Sequence, residues 1–413
     1  MFKESVLRDC LGISVFLFTI LTSGTVLNVV NLSLSYFLGI SFLIFCLFIV
    51  FFYKISLPIN KSKVSFVIVP FILFSLMLLP GVIFNESFSG YSGLISRFLI
   101  LSILFIFLIQ TSSNITRYLE ISLWLVILHA LVGWFFSFFS FINYTYVTNG
   151  SYETLTFFYV FFKWVSFDFF GLTIYRNMGL FWEPGLLQIY SNLLLFLLLM
   201  RKCNWKKLCI PIFITITTLS TTGFIVMTVL ILRFSNFFRM DRFLPFKILF
   251  TFVVVFCTFL VTYDKFLGEG VGSSSARLFD LYNGLEIIKN NIWFGIGYDD
   301  NVYLQFLENG KTASIIIDGV DDVRGNTNSF LKIFFVFGVP LGIIFIFIFA
   351  RNACFSSANI LFGLFIIVVS ATEPVIFMNF FLFLFIISVF SCFNKSKDCS
   401  ASLFQVRNGT LFN

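Results

Sequence analysis

The sequence predicts an all-α, polytopic integral membrane protein of about 12 transmembrane helices with two large loops on one side. Three observations carry this. The 413 residues are 59% hydrophobic and only 11% charged, whereas a soluble domain carries about 25% charge and could not wear so apolar a surface in water. Apolar runs long enough to cross a bilayer recur along the chain, separated by short polar loops. Positive charge falls on alternate loops only.

Taken in order, the apolar runs predict helices at 11–31, 36–53, 64–84, 93–110, 119–141, 186–200, 208–220, 223–238, 247–263, 327–350, 356–371 and 374–392. The first follows Lys3 and Arg8, and no small-residue cleavage site comes after it, so it reads as a helix and not as a removed signal. The runs at 186–200 and 208–220 are short for a full span, which predicts displaced ends or broken helices. Phe, used 65 times, is read largely as lipid-facing filler. No internal repeat or soluble domain is visible. Residues 1–393 form one membrane domain and 394–413 a polar cytoplasmic tail.

Charge tests the helix count. The loops placed inside hold eighteen bases, among them Arg117, Arg201, Lys202, Lys206 and Lys207, against five acids. The other side carries seven bases and fifteen acids, while Arg97 and Lys332 fall within helices. A helix count wrong by one would scramble this segregation, so both termini are expected in the cytoplasm. The net charge of +7 is then a consequence of topology. It signals contact with anionic membrane lipid and no nucleic-acid partner. The eight cysteines avoid both large outer loops and form no C-x-x-C or metal-ligand spacing, so reduced thiols and no metal are expected.

Function on such a protein belongs to its long loops. The first outer loop runs from about 142 to 184 and the second from about 263 to 326. In the first, the aromatic stretch Phe157 to Phe170 is too short to span and carries Lys163 and Asp168, which predicts an interfacial segment. Arg176, Gly179 and Glu183-Pro184-Gly185 follow. The Arg176 guanidinium is a planar fork suited to phosphate. Pro184 suits a first helical turn, and Glu183 faces that helix's positive end. The plain alternative is an interfacial Arg176 and a Glu183 that merely caps.

The second loop opens with a glycine- and serine-rich stretch, GEGVGSSSAR, read as a flexible turn. Arg277 then begins a helical stretch with Leu278, Leu281, Leu285 and Ile288 at helical spacing, a helix expected to lie over the membrane face. A cation at a helix start opposes the helix dipole, which hints at an anionic partner. Gly295 and Gly297 mark a turn. Asp318, Asp321 and Asp322 are read as solvated loop acids, because hard-cation sites need several converging oxygens. Arg324, Asn326 and Asn328 lead into the helix at 327–350. The single histidine, His129, lies in an apolar run and reads as a helix–helix hydrogen bonder.

Three features coincide. R-x-x-G-x-F-x-E-P-G lies in the first loop. An arginine-led helix and I-x-x-N-x-x-F-G-I-G lie in the second. N-T-N-S-F-L-K-I-F-F-V-F-G-V-P-L-G opens the next helix. Together, over about residues 170–350, they resemble the O-antigen polymerase and O-antigen ligase superfamily of bacterial envelope glycosyltransferases. The resemblance implies transfer of a glycan from undecaprenyl diphosphate to an acceptor hydroxyl on the periplasmic face of the inner membrane. It implies no cofactor and no metal. A chain-length regulator and a flippase are the protein partners it suggests. The family's two outer-loop arginines fall on Arg176 and Arg277. Glu183 is the candidate base, and Arg324, Asn326 and Asn328 are candidate ligands of diphosphate or sugar. Ligases of this type carry a His-Asn pair where this chain has Asn326-Thr327-Asn328, whereas Glu-Pro-Gly after the first arginine looks like the polymerase branch. A polymerase of lipid-linked repeat units is therefore the leading expectation. A ligase acting on lipid A–core is the first alternative, and a flippase for the same lipid is the second.

Overall fold

A computed structural model of the chain describes residues 4–26, 28, 37, 40–42, 44–45, 68, 70–79, 83, 89–111, 114–139, 143–149, 152–163, 167–169, 172–234, 271–298, 302–305 and 326–393. These residues are mostly helical and belong to two compact units. The first unit gathers 1–12, 45–115 and 264–404; the second gathers 13–44, 116–263 and 405–413. Helix α1 (Glu4–Leu21) divides between them. Three described helices are long and apolar enough to cross a membrane, at Tyr91–Ile109, Ile115–Phe136 and Ala353–Thr372. Shorter apolar helices accompany them, among them α2 at Pro70–Leu79. The expected helices at 247–263 and, for most of its length, 36–53 lie outside the described residues.

In the second unit, α4 (Ile115–Phe136) leads into a region that is not helical at all. Strands β1 (Thr145–Asn149), β2 (Tyr152–Phe157) and β3 (Phe161–Lys163) form an antiparallel meander, with Thr145 opposite Thr156 and Phe157 opposite Phe161. Strands β4 (Phe167–Phe169) and β5 (Leu172–Ile174) form a hairpin. The described residues are mostly helical, and these strands correct the all-α expectation within the segment expected at the interface. The reason is local: β-branched and aromatic residues dominate the stretch, and such residues fit a pleated surface better than a helix. The rest of the unit is a helical trio of α5 (Pro184–Met200), α6 (Trp205–Thr217) and α7 (Thr221–Phe234), in which α5 packs on both others. Helix α5 is buried on all sides from Pro184 to Leu199, so its short length belongs to a central packed helix.

The first unit holds α3 (Ser89–Thr111), α8 (Val271–Asn290), α9 (Ser329–Phe337), α10 (Val339–Ala350), a 3-10 turn at Ala353–Ala358, α11 (Asn359–Thr372) and α12 (Asn379–Phe393). Helix α12 packs on α3 and α10. Its core is aromatic. Phe74 stacks on Phe98 at 4.1 Å, Phe345 stacks on Phe385 at 4.2 Å, and all four are fully buried. Much of the phenylalanine here is therefore packing and not lipid-facing filler. Each such ring pair contributes about 0.5–1.5 kcal/mol beyond its buried area, and in a membrane close packing is what holds helices together.

Two further expectations are corrected in this unit. Helix α8 begins at Val271, so the Ser273–Ala276 stretch is helical and Arg277 lies inside the helix, past its first turn. The dipole misfit inferred at Arg277 therefore falls away. The expected helix at 327–350 is two helices, α9 and α10, broken at Gly338, whose φ is +77°. Pro340, in the first turn of α10, suits a fresh helix start.

Candidate functional site

In the second unit, the segment carrying Arg176 and Glu183 is stapled down at both ends. Asn177 donates its backbone N–H to Thr217 O at 2.9 Å, and its side-chain amide reaches Thr217 Oγ1 at 3.1 Å and Ala130 O at 3.3 Å. Further along, Trp182 N–H donates to Gly24 O at 3.1 Å, and Val26 N–H donates to Leu180 O at 3.0 Å. Between these anchors the half-buried Arg176 donates from Nε to Thr218 O at 3.0 Å and from Nη2 to Leu219 O at 3.4 Å. These are carbonyls of the turn that ends α6, where a cation meets the negative end of a helix. Arg176 thus holds the α6–α7 turn with two of its five donors. Glu183 occupies the N-cap position of α5, but its side chain makes no capping hydrogen bond, and Pro184 begins the helix as expected. The capping alternative for Glu183 is therefore not what the geometry shows.

In the first unit, α8 presents an unusual face. Its apolar Leu278, Leu281 and Leu285 are exposed, while Asp280, Asn283, Gly284 and Ile287 are buried. Gly284 lets α8 approach α9 closely, because a Cβ there would lie 2.8 Å from Leu331 Cδ1. Asp280 accepts from Thr327 N–H at 2.9 Å and from the Thr327 hydroxyl. Asn326 donates to Asp280 O at 3.0 Å and to Tyr303 Oη at 3.3 Å, while its carbonyl accepts from Asn328 N–H at 2.8 Å. Asn328 caps α9 by accepting from Leu331 N–H at 3.0 Å. The buried carboxylate of Asp280 therefore fixes the Asn326-Thr327-Asn328 turn.

Arg277 lies one helical turn before Asp280 and reaches Glu373 with Nη2 at 3.7 Å from Oε1. Arg277 is 37% exposed while Glu373 is 4% exposed, so the acid is the buried partner and the guanidinium its outward face. Glu373 ends α11 in an extended conformation, and Ser329 Oγ donates to its carbonyl at 2.5 Å, tying this turn to the start of α9. The side-chain amide of Asn283, 1% exposed, has no hydrogen-bond partner among the described residues. Helices α8, α9 and α11 thus bring Arg277, Glu373, Asp280 and Asn283 to one polar region of this unit.

Two of the sequence motifs interlock here. Gly295 and Gly338 both have left-handed φ, +68° and +77°. A Cβ on Gly295 would lie 2.5 Å from Phe335 O, and one on Gly338 would lie 2.3 Å from Trp293 O. Only glycine allows these backbones to cross. The crossing is closed by Ile296 N–H to Phe335 O at 2.6 Å and Val339 N–H to Ile292 O at 2.7 Å. The F-G-I-G and F-G-V-P stretches are therefore two halves of one junction.

Sequence reasoning found Arg176, Glu183, Arg277, Asn326 and Asn328, and the structure gives each a defined setting. Arg324 lies outside the described residues. The amides of Asn326 and Asn328 hold their own turn, which differs from the ligand role expected of them. Asp280 and Glu373 were missed. Charge counting expects both on the outer side, and Glu373-Pro374 repeats the Glu183-Pro184 dipeptide at another helix boundary, a signal that could have found it. His129 stacks its ring on Phe161 at 5.0 Å, so its aromatic partner comes from β3 and not from a neighbouring helix.

Residues 208–346 match a family described as O-antigen ligase. The match supports a likeness to the O-antigen polymerase and ligase superfamily over that segment. The matched segment contains most of α6, and α7, α8, α9, the Arg277 face and the glycine crossing. The apolar helices and this match together suggest a membrane protein of the bacterial envelope. A search among curated proteins finds no match.

Proposed function

We propose that this chain is a polymerase of undecaprenyl-diphosphate-linked repeat units, forming O-antigen or a related surface polysaccharide on the periplasmic face of the inner membrane. The observation that carries the reading is the Arg277 position on α8, a half-exposed guanidinium backed by buried Glu373, with a buried, unpartnered Asn283 amide further along the same helix. In the reaction an acceptor hydroxyl attacks the anomeric carbon of the donor sugar. A new C–O bond forms, the bond to the diphosphate breaks, and the lipid diphosphate leaves with the electron pair. The charge that develops on it needs a fixed cation, and Arg277 is the candidate in the first unit. The resemblance nominates Arg176 and Arg324 besides, and Glu183 as the acceptor of the hydroxyl proton. Asn283 hydrogen-bonds the sugar, Asn326 and Asn328 shape the loop that receives it, and the isoprenoid stays in lipid.

A polymerase is favoured over a ligase because Asn326-Thr327-Asn328 replaces the ligases' His-Asn pair and forms a closed turn on Asp280. The ligase reading is kept because the matching family bears that description.

Alanine at Arg277 or Arg176 is expected to lower polymer formation by about 10²–10³-fold, the usual effect of removing a group that stabilises transition-state charge. Electrophoresis of surface polysaccharide would then show one repeat per core in place of a ladder. A full ladder at normal expression would sink the enzyme reading. Polymer stranded on its lipid carrier would assign the protein as the ligase.

A further inference from the structure

We propose that the turn between β2 and β3, Phe158-Tyr159-Val160, dips into the lipid of the leaflet at the C-terminal end of α4, so that a β-hairpin tip anchors the segment between α4 and α5 in the bilayer. The inference stands apart from the function proposed above.

Residue type and backbone disagree at this turn. Phe158 and Tyr159 both have left-handed φ, +53° and +56°. A two-residue hairpin turn of this kind ordinarily uses asparagine and glycine, which tolerate the conformation. Bulky side chains held there store strain, and such strain persists where a function requires it. The rings return little to packing: Phe158 is 81% exposed and Tyr159 52%, and Val160 follows at 45%. The rest of the hairpin is well anchored. Phe162 packs with Val26 and Met178 in a buried cluster, and Thr154 and Thr156 are buried. An apolar tip is therefore held out on a fixed support.

Helix α4 sets the depth of that tip, because its stretch Ile115–Phe136 is long and apolar enough to cross a membrane. Lys163, at the far end of β3, reaches the end of this helix, with Nζ 3.2 Å from Ser137 O. Phe161 lies further down its side. The Phe161 ring stacks on His129 at 5.0 Å and meets Phe136 edge-on at 5.1 Å, and a Cβ on Gly133 would lie 2.8 Å from it. The Val160 backbone then lies against the His129 ring, two turns or about 10 Å inside the end of α4. From Lys163 to Val160 the strand thus runs back along the helix toward the middle of the span. Leu125 and Val132, four residues before and three after His129, are its neighbours on the helix surface, and both are exposed. An exposed apolar strip on a spanning helix faces lipid, and the turn stands beside it.

The turn also meets the condition lipid imposes on irregular backbone, which must find its hydrogen bonds within the protein. Val160 N–H donates to Phe157 O at 3.1 Å, and Tyr159 N–H donates to Thr156 Oγ1 at 3.0 Å. The Thr156 hydroxyl in turn donates to Phe161 O at 3.3 Å. Buried Thr156 thus supplies what water supplies to an ordinary exposed turn. Aromatic side chains, tyrosine among them, are the ones enriched at the lipid boundary.

The test places the photocrosslinker p-benzoylphenylalanine at position 158 of the full-length protein in nanodiscs of phosphatidylethanolamine and phosphatidylglycerol. Irradiation is expected to yield chains carrying the added mass of one phospholipid, read by mass spectrometry of the intact protein. The same group at Thr148, an exposed β1 residue paired with Glu153 toward the other end of β2, is the aqueous reference. It is expected to give about tenfold less lipid adduct, since insertion at the boundary reaches only about 5–10 Å. Size-exclusion chromatography identifies a variant that fails to fold, in which case the group at position 159 reads the same turn. Covalent dimers in place of lipid adducts would overturn the proposal and assign the turn to a contact between copies. Crosslinks to another segment of the same chain would overturn it equally. Lipid adducts no more abundant at positions 158 and 159 than at 148 would overturn it in favour of a turn standing in water.

Discussion

The side chain that most separates function from stability is Asn283. A buried amide without a partner costs about 1–3 kcal/mol, so retaining it needs a reason beyond packing. An Asn283→Leu variant is expected to fold with equal or higher thermal stability and yet lose about tenfold or more of its transfer activity. Thermal unfolding in detergent and in vitro polymerisation together check this. Unchanged activity would reduce Asn283 to a structural residue. Arg176 makes the opposite point: its type predicted phosphate contact, and the structure adds a role in holding the Thr218 and Leu219 carbonyls. Alanine there is therefore expected to lower stability as well as activity, by about 1–3 kcal/mol for the lost charge-assisted bonds. Chemical denaturation would show the loss, and a variant as stable as the parent would contradict the anchoring role.

Elements explain why short motifs recur in this chain. The glycines of F-G-I-G and F-G-V-P are paired by a backbone crossing that connects the segment after α8 to the α9–α10 break. Alanine at Gly338 or Gly295 meets both a left-handed φ and a backbone oxygen closer than any Cβ tolerates. Each is expected to destabilise the first unit by several kcal/mol, since the φ strain alone costs about 1–3 kcal/mol. Size-exclusion profiles and thermal unfolding of the detergent-solubilised variants would report it. Wild-type behaviour of both would dissolve the crossing. Strands β1 to β5 were harder to read, because apolar content placed the region at an interface while its residue types favoured pleated structure. Helix α8 was legible from Arg277 onward and misread before it, because glycine and serine have no strong local veto on a helix that packs against α9.

At the scale of the molecule, charge segregation still carries the topology. Alkaline phosphatase fused after Thr148 is expected to be active, and fused after Lys206 inactive, with both termini cytoplasmic. The reverse pattern would place the arginine-bearing loops on the wrong side for a periplasmic reaction. Charge predicts that the early turns of α3 and α9 lie on the same side. The early turns of α3, carrying Tyr91 and Arg97, meet Tyr298 and the early turns of α9, both assigned to the outer side by charge.

Composition by itself determined the membrane class, loop charge gave the expectation that function gathers on one side, and the motifs over about residues 170–350 gave the resemblance to the superfamily. Residue type and the resemblance singled out Arg176, Glu183 and Arg277, because these signals are local and survive without knowledge of packing. Only tertiary structure decided that Glu373 stands behind Arg277, that Asp280 closes the Asn326 turn, and that Arg97 and Lys332 share one tyrosine. Those are contacts between residues tens to hundreds of positions apart, and no periodicity along a chain encodes which distant neighbours will meet.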